Sequence, residues 1–186
     1  MSRQARIRIV PPEGFLHVIS RGNNRRKLFL QQKDFRIFYR LLIKLKGDEK
    51  IKIYHYCLMS NHVHLLLGTD EGSNLSLFMK RLNLTYSNYY RKKHDYVGHL
   101  WQGRFKSKVI DNDEYFLQCG KYIELNPVRA KIVALPQDYY YSSYHYYACG
   151  APDELLTSDP FYLGLGSTAA IRQEKYKNLI IKELNV

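Results

Sequence analysis

The sequence predicts an α+β fold in the order β-α-β-β-α-β-α, on three observations. Short runs of β-branched and aromatic residues, over 15–20, 51–58 and 62–67, are bounded by Gly, Asn and Asp. Between and after them lie longer stretches in which apolar residues recur every three or four positions, the period of a helix. Finally, 186 residues with no internal repeat and no long linker are enough for one main domain with a terminal appendage.

Residues 1–12 are basic (Arg3, Arg6, Arg8) and end in Pro11-Pro12, which reads as a loose lead-in. A first strand, Phe15 to Ser20, enters Arg21-Gly22-Asn23-Asn24-Arg25-Arg26-Lys27, a turn carrying four cations. Gly and Asn tolerate φ > 0 and leave backbone N–H groups free to face phosphate. Arg21, Asn23, Arg25 and Arg26 are therefore candidate phosphate contacts, against the plainer reading of a solvated turn. From Lys33 to Lys46, Phe35, Phe38, Tyr39, Leu42 and Leu45 trace an amphipathic helix that Gly47-Asp48 ends. Ile51 to Leu58 is then a strand paired with the next, which is entered through a tight polar corner at Ser60-Asn61.

That next strand begins Met59-Ser60-Asn61-His62-Val63-His64-Leu65-Leu66-Leu67. Side chains alternate faces along a strand, so His62 and His64 point the same way, their Cα atoms about 7 Å apart. Two imidazoles at that separation can converge on one metal ion; the alternative is two ordinary sheet histidines. Asn74 is an N-cap for a second helix, with Leu75, Phe78, Leu82, Tyr86 and Tyr89 on one side and Lys80, Arg81, Arg91, Lys92 and Lys93 around the rest. Leu100 to Ile110 returns to alternation and would place Arg104, Lys106 and Lys108 on one face. Cations spaced two apart on a strand repel one another unless an anion lies along them.

Asp111-Asn112-Asp113-Glu114 has capping-box spacing from Asp111 and starts a helix. It is expected to run to about Leu125, because Pro127 disfavours helical geometry at Asn126. Tyr122 and Asn126 then lie one turn apart on one side. The tyrosine-rich stretch over 139–147 reads first as a packed loop and second as a stacking surface. Ser167 to Leu184 reads as a final, peripheral helix.

Composition narrows the partner. Lys and Arg number 29 against 17 Asp and Glu, a net charge of +12 with a pI near 9.5, the footprint of a phosphate-backbone binder. No apolar run approaches membrane length and no basic amphipathic terminus stands out, so no membrane partner is expected. The 17 Tyr, 8 Phe and 1 Trp suit base stacking beside Arg and Lys. Cys57, Cys119 and Cys149 form no C-x-x-C, which supports neither a zinc knuckle nor a disulfide framework. Without a signal peptide the expected location is reduced and cytoplasmic.

Two imidazoles on the sheet, with an amide oxygen and a phenol on a nearby helix, suit a hard, exchange-labile ion and a tyrosine nucleophile. Taken in order, Ser20-Arg21-Gly22-Asn23-Asn24-Arg25, Met59-Ser60-Asn61-His62-Val63-His64, Trp101-Gln102-Gly103-Arg104-Phe105 and Tyr122-Ile123-Glu124-Leu125-Asn126-Pro127 resemble the HUH-type single-tyrosine transposases. Within that family the resemblance is to the REP-associated tyrosine transposases, over residues 14–147. It implies a ferredoxin-like (RRM-like) antiparallel sheet with helices packed on one face, residues 1–150 being the HUH domain and 151–186 a C-terminal helical extension. It implies His62, His64 and Asn126 as ligands of Mg²⁺ or Mn²⁺ and Tyr122 as the nucleophile. Arg21, Asn23, Arg25, Arg26, Arg104, Lys106 and Lys108 would then face DNA. The implied substrate is single-stranded DNA beside a short hairpin, cut to leave a 5′-phosphotyrosine and a free 3′-OH by a protein of the cytoplasm and its nucleoid.

Many insertion-sequence relatives carry Gln where this chain has Asn126, which sides with the REP-associated branch. Insertion-sequence relatives also complete their sites across a dimer, so both a monomer and a homodimer fit. Tyr115, two turns before Tyr122, is the rival nucleophile; its fourth-following residue is Cys119, a poor partner for a hard cation. The other readings are a non-catalytic single-strand-binding RRM-like module and a phosphodiesterase that uses water.

Overall fold

The computed structural model describes residues 13–184; the basic lead-in expected over 1–12 lies outside the described residues. Strands β1 (Gly14–Arg21), β2 (Ile51–Met59), β3 (His62–Thr69) and β4 (Lys106–Ile110) form one sheet in the order β2-β3-β1-β4, every neighbouring pair antiparallel. Helices α1 (Gln32–Asp48) and α2 (Leu75–His94) are the crossovers, and α3 (Asp113–Arg129) follows β4. This is the expected series and the expected ferredoxin-like sheet. Among the described residues three more α-helices follow: α4 (Tyr144–Cys149), α5 (Pro160–Gly164) and α6 (Ala169–Leu184).

Alternation in the strands decides what lies on each face. Leu16, Val18, Val63, Leu65 and Leu67 turn to one side, where α1 and α2 bury Phe38, Leu42, Leu45, Phe78, Leu82 and Tyr86 against them. Each such side chain contributes about 1.5–3 kcal/mol when removed from water. The opposite face presents Leu66, Cys57 and Ile110, and α3 covers these with Phe116, Cys119 and Ile123. So α1 and α2 share one face as expected, while α3 crosses the other, the face that also carries the even-numbered β3 residues His62 and His64.

Several local expectations are corrected. The alternating stretch from Leu100 is not one strand. Trp101 bridges Gly22 and Gln102 N–H donates to the Arg21 carbonyl, then Gly103 turns to φ 69° and regular pairing resumes only at Lys106. Asn112, not Asp111, caps α3, its side chain accepting from Tyr115 N–H. The helix then runs through Pro127 to Arg129. Proline removes the N–H that would serve the Ile123 carbonyl; the Asn126 Nδ2 donates there instead at 3.4 Å, and to the Tyr122 carbonyl at 2.8 Å.

The tyrosine-rich stretch is packed, as first read. It runs along the outer edge of β2, with Leu58 N–H donating to Tyr141 and Ser143 N–H donating to Tyr56, before turning into the unexpected α4. Covering an edge in this way removes an open template for strand pairing. Nor is α6 peripheral: Tyr176 and Ile180 are buried with Leu125, Tyr144 and Tyr147.

What holds α3 in register is a buried polar cluster. His55 Nδ1 lies 2.9 Å from Glu124 Oε1 and its Nε2 3.2 Å from Asp159 Oδ2. Ser143 Oγ and the Tyr176 hydroxyl also donate to Glu124, at 2.6 and 2.8 Å. Burial alone would lower the His55 pKa, but its hydrogen bonds to Asp159 and Glu124, and their charge, raise it to about 9. Gly120 leaves room for that ring, since a Cβ there would meet His55 Nε2 at 2.8 Å. With the ring pinned at both nitrogens, Gly120→Ala is expected to lose about 1–2 kcal/mol although alanine favours a helix. A urea midpoint above wild type would contradict this.

Candidate functional site

His62 and His64 do share a face, with ring centroids 4.9 Å apart. From α3, Tyr122 reaches over them. Its ring stands edge-on to His64 at 5.9 Å, and it stays 42% exposed. The Arg129 guanidinium, two turns on, lies 5.2 Å from the Tyr122 ring centre. Asn126 follows one turn after Tyr122. Its NH₂ is committed to the helix carbonyls, and among the described residues its Oδ1 makes no hydrogen bond.

A third imidazole was not anticipated. His17 on β1 is the diagonal cross-strand neighbour of His64, its Nε2 3.0 Å from His64 Nδ1 and the two rings nearly parallel at 5.2 Å. Tyr122 packs edge-on against His17 as well, at 6.0 Å. Only the β1–β3 register brings residues 47 positions apart together, and no periodicity in the sequence discloses that register.

Burial first, and the neighbouring imidazoles and Arg21 after it, lower the His64 pKa to about 2. Burial with Arg21 lowers His62 to about 4, and burial with Lys108 lowers His17 to about 4. All three rings are neutral at pH 7, the form that ligates metals. Asn61 Oδ1 lies 2.6 Å from His62 Nδ1 and can only accept, so the His62 proton sits on Nδ1 and its Nε2 lone pair is bare. Among the described residues no group of three or more His, Cys, Asp or Glu side chains is arranged to hold a metal. Two neutral imidazoles on one face, with Tyr122 edge-on to one of them, are groups that could hold a divalent ion and leave positions open to substrate.

The candidate DNA contacts divide. Arg21 pairs with His62 in the sheet register, while Lys106 and Lys108 pair with Ile19 and His17, so these three lie on the imidazole face. Arg104 falls beyond the break at Gly103 and is exposed in a loop, not in the row with Lys106 and Lys108. The turn after β1 has Asn24 at φ 48° and Arg25 at φ 57°, the left-handed geometry its Asn content allows. Asn23 and Arg26 line a cavity of about 310 Å³ with Lys27 and Tyr90, and the Arg26 guanidinium stacks on Tyr96 at 4.3 Å. Tyr115 is engaged by Lys108, whose Nζ sits 4.3 Å over its ring, and among the described residues it makes no ring contact with an imidazole.

Comparison with known proteins supplies the relatives. The family profile described as Transposase IS200 like matches residues 13–126. The chain is 28% identical over 123 residues to a Haemophilus influenzae protein named as a REP-associated tyrosine transposase, covering 60% of this chain and 68% of that one. It is 24% identical over 123 residues to the REP-associated tyrosine transposase of Escherichia coli, covering 66% and 71%. In fold it is similar to a solved REP-associated tyrosine transposase bound to a REP hairpin, with a TM-score of 0.69, 22% identity, and coverage of 86% of this chain and 93% of that one. No helix among the described residues is long and apolar enough to cross a membrane.

Proposed function

The chain belongs to the IS200-like transposases, a family of enzymes, and from that premise we propose that it is a metal-dependent single-stranded DNA endonuclease and strand transferase that cuts beside a hairpin. The observation that carries this is the half-exposed Tyr122 ring set edge-on against the neutral His64. His62 Nε2, His64 and Asn126 Oδ1 would hold Mg²⁺ or Mn²⁺, which supplies charge withdrawal from a bound phosphodiester. The Tyr122 oxygen attacks phosphorus; an O–P bond forms, the bond to the leaving 3′ oxygen breaks, and the proton given up by the phenol is balanced by one taken up at that oxygen. The products are a 5′-phosphotyrosine and a free 3′-OH. Arg129, 5.2 Å from the Tyr122 ring centre, brings a positive charge that would favour the ionised phenol. The covalent link conserves the bond for strand transfer, whereas attack by water would release it.

Arg21, Lys106 and Lys108 flank the imidazoles and would run the DNA backbone past them, with Asn23, Arg25, Arg26 and Arg104 as outer contacts. A hairpin partner is drawn from the similarly folded transposase solved with one. Residues 1–150 would be the transposase domain and 151–186 an extension that braces α3. Tyr122 lies against the imidazoles of its own chain, and both a monomer and a homodimer fit. The working place of such a protein is the nucleoid in the cytoplasm.

Incubation with labelled hairpin DNA and Mn²⁺ tests the reading, the expected product being a complex that survives denaturation. Cleavage without an adduct would mean a water-using phosphodiesterase, and binding without either product a non-catalytic module. His62→Ala is expected to lower cleavage more than ~100-fold, beyond the 10–100-fold usual for an outer partner of a metal ligand. Cleavage that proceeds undiminished in chelator would contradict the metal requirement.

A further inference from the structure

We propose that His17 is a positioning residue: its Nε2 accepts the Nδ1 proton of His64 and thereby leaves His64 Nε2 as an unprotonated donor toward a divalent cation. This rests on the metal reading given above, but it concerns a residue that lies outside the ligand set.

The two nitrogens are 3.0 Å apart, a hydrogen-bond distance, so one of them donates a proton and the other accepts it. If that proton belongs to His64, the ring is the Nδ1–H tautomer and Nε2 carries the free lone pair. If it belongs to His17, His64 Nδ1 is the acceptor, its proton sits on Nε2, and the ring cannot ligate through that atom. The arrangement around His62 shows which alternative makes a matched pair. There Asn61 Oδ1 is an obligate acceptor for Nδ1–H, so His62 exposes Nε2. His17 does for His64 what Asn61 does for His62, and both ligands then present the same nitrogen.

The geometry gives His64 little alternative. It is 3% exposed and among the described residues its Nδ1 has no hydrogen-bond partner besides His17 Nε2, so an Nδ1–H without that acceptor would be an unpaired buried donor, which is costly. His17 and His64 sit on β1 and β3, the two central strands, rather than on loops. Their rings are within 23° of parallel, and Tyr122 packs edge-on against both. Metal-bound histidines commonly have the far nitrogen fixed in this manner, because the tautomer and ring orientation must be set before the ion arrives.

The full chain, labelled with ¹⁵N in its imidazoles and free of metal, gives the first readout: two-bond proton–nitrogen correlations report which nitrogen of His64 is protonated. Mn²⁺ affinity, measured by electron paramagnetic resonance, gives the second. The expected result is Nδ1–H on His64 in the wild type. His17→Phe should shift His64 toward Nε2–H and weaken Mn²⁺ binding 10–100-fold. His17→Gln, whose amide oxygen can accept, should restore most of both. His64 found as Nε2–H in the wild type would overturn the proposal, even if His17→Phe cannot be purified folded. So would unchanged Mn²⁺ affinity in a folded His17→Phe. A wild type that shows the expected tautomer but binds no Mn²⁺ overturns the metal reading itself, and the role of His17 falls with it.

Discussion

Tyr122→Phe is expected to abolish the covalent protein–DNA complex while leaving hairpin binding and folding stability at wild-type levels. The separation follows from how Tyr122 is held. Its contacts are made by the ring: edge-on packing against His17 and His64, and the guanidinium of Arg129 above it. Phenylalanine keeps all three. The hydroxyl makes no hydrogen bond among the described residues, so its removal strands no buried partner. Stability should therefore stay within about 0.5 kcal/mol of wild type, the range of an ordinary surface substitution. What is lost is the oxygen that would form the bond to phosphorus. Tyr115→Phe should keep the adduct, because Tyr115 is engaged with Lys108 on a neighbouring stretch of the face. A denaturing gel decides between the two: adduct from Tyr122→Phe and none from Tyr115→Phe would transfer the nucleophile to Tyr115.

The parts of this arrangement that could be read from the chain are those governed by local periodicity. Alternation along β3 places His62 and His64 on one face, and helical period places Tyr122 one turn from Asn126; both depend only on residues within a few positions. The turn of Gly and Asn after β1 was legible for the same reason, and Asn24 and Arg25 take the left-handed geometry. What failed to show were features set by register and tertiary packing. His17 is an isolated histidine until β1 pairs with β3. Pro127 looks like a helix stop because the rule weighs a lost backbone bond, and the rule cannot see that Asn126 supplies a replacement donor. Glu124 sits in the middle of the most informative motif and carried no reading at all. Its partners come from residues 55, 143 and 176, and a sequence gives no reason to gather them.

Those partners make Glu124→Ala the substitution with the largest expected effect on folding. Glu124 is fully buried and accepts from His55, Ser143 and Tyr176 with its two oxygens. Truncation takes the acceptor away from His55 Nδ1 and the Tyr176 hydroxyl, leaves Ser143 Oγ only the Tyr56 carbonyl, and leaves the buried His55 cation with Asp159 alone. Breaking a buried pair from one side costs roughly 3–5 kcal/mol, a large share of the 5–15 kcal/mol typical of a whole domain. Denaturant midpoints should fall accordingly, and adduct yield with them, since Glu124 lies between Tyr122 and Asn126 on α3. Glu124→Gln, which keeps the shape and an acceptor, should lose less. The same cluster predicts a pH signature. His55 is raised from an ordinary 6.5 to about 9, so its contribution is complete below pH 6.5 and is lost as pH climbs through 9. Over that interval wild-type stability should decline by something on the order of 3 kcal/mol. The site histidines are displaced below that window. His55→Gln should flatten the profile while lowering it throughout. A wild-type profile level from pH 6.5 to 9, or a Glu124→Ala midpoint within about 0.5 kcal/mol of wild type, would mean that the cluster is not what fixes α3 against the sheet.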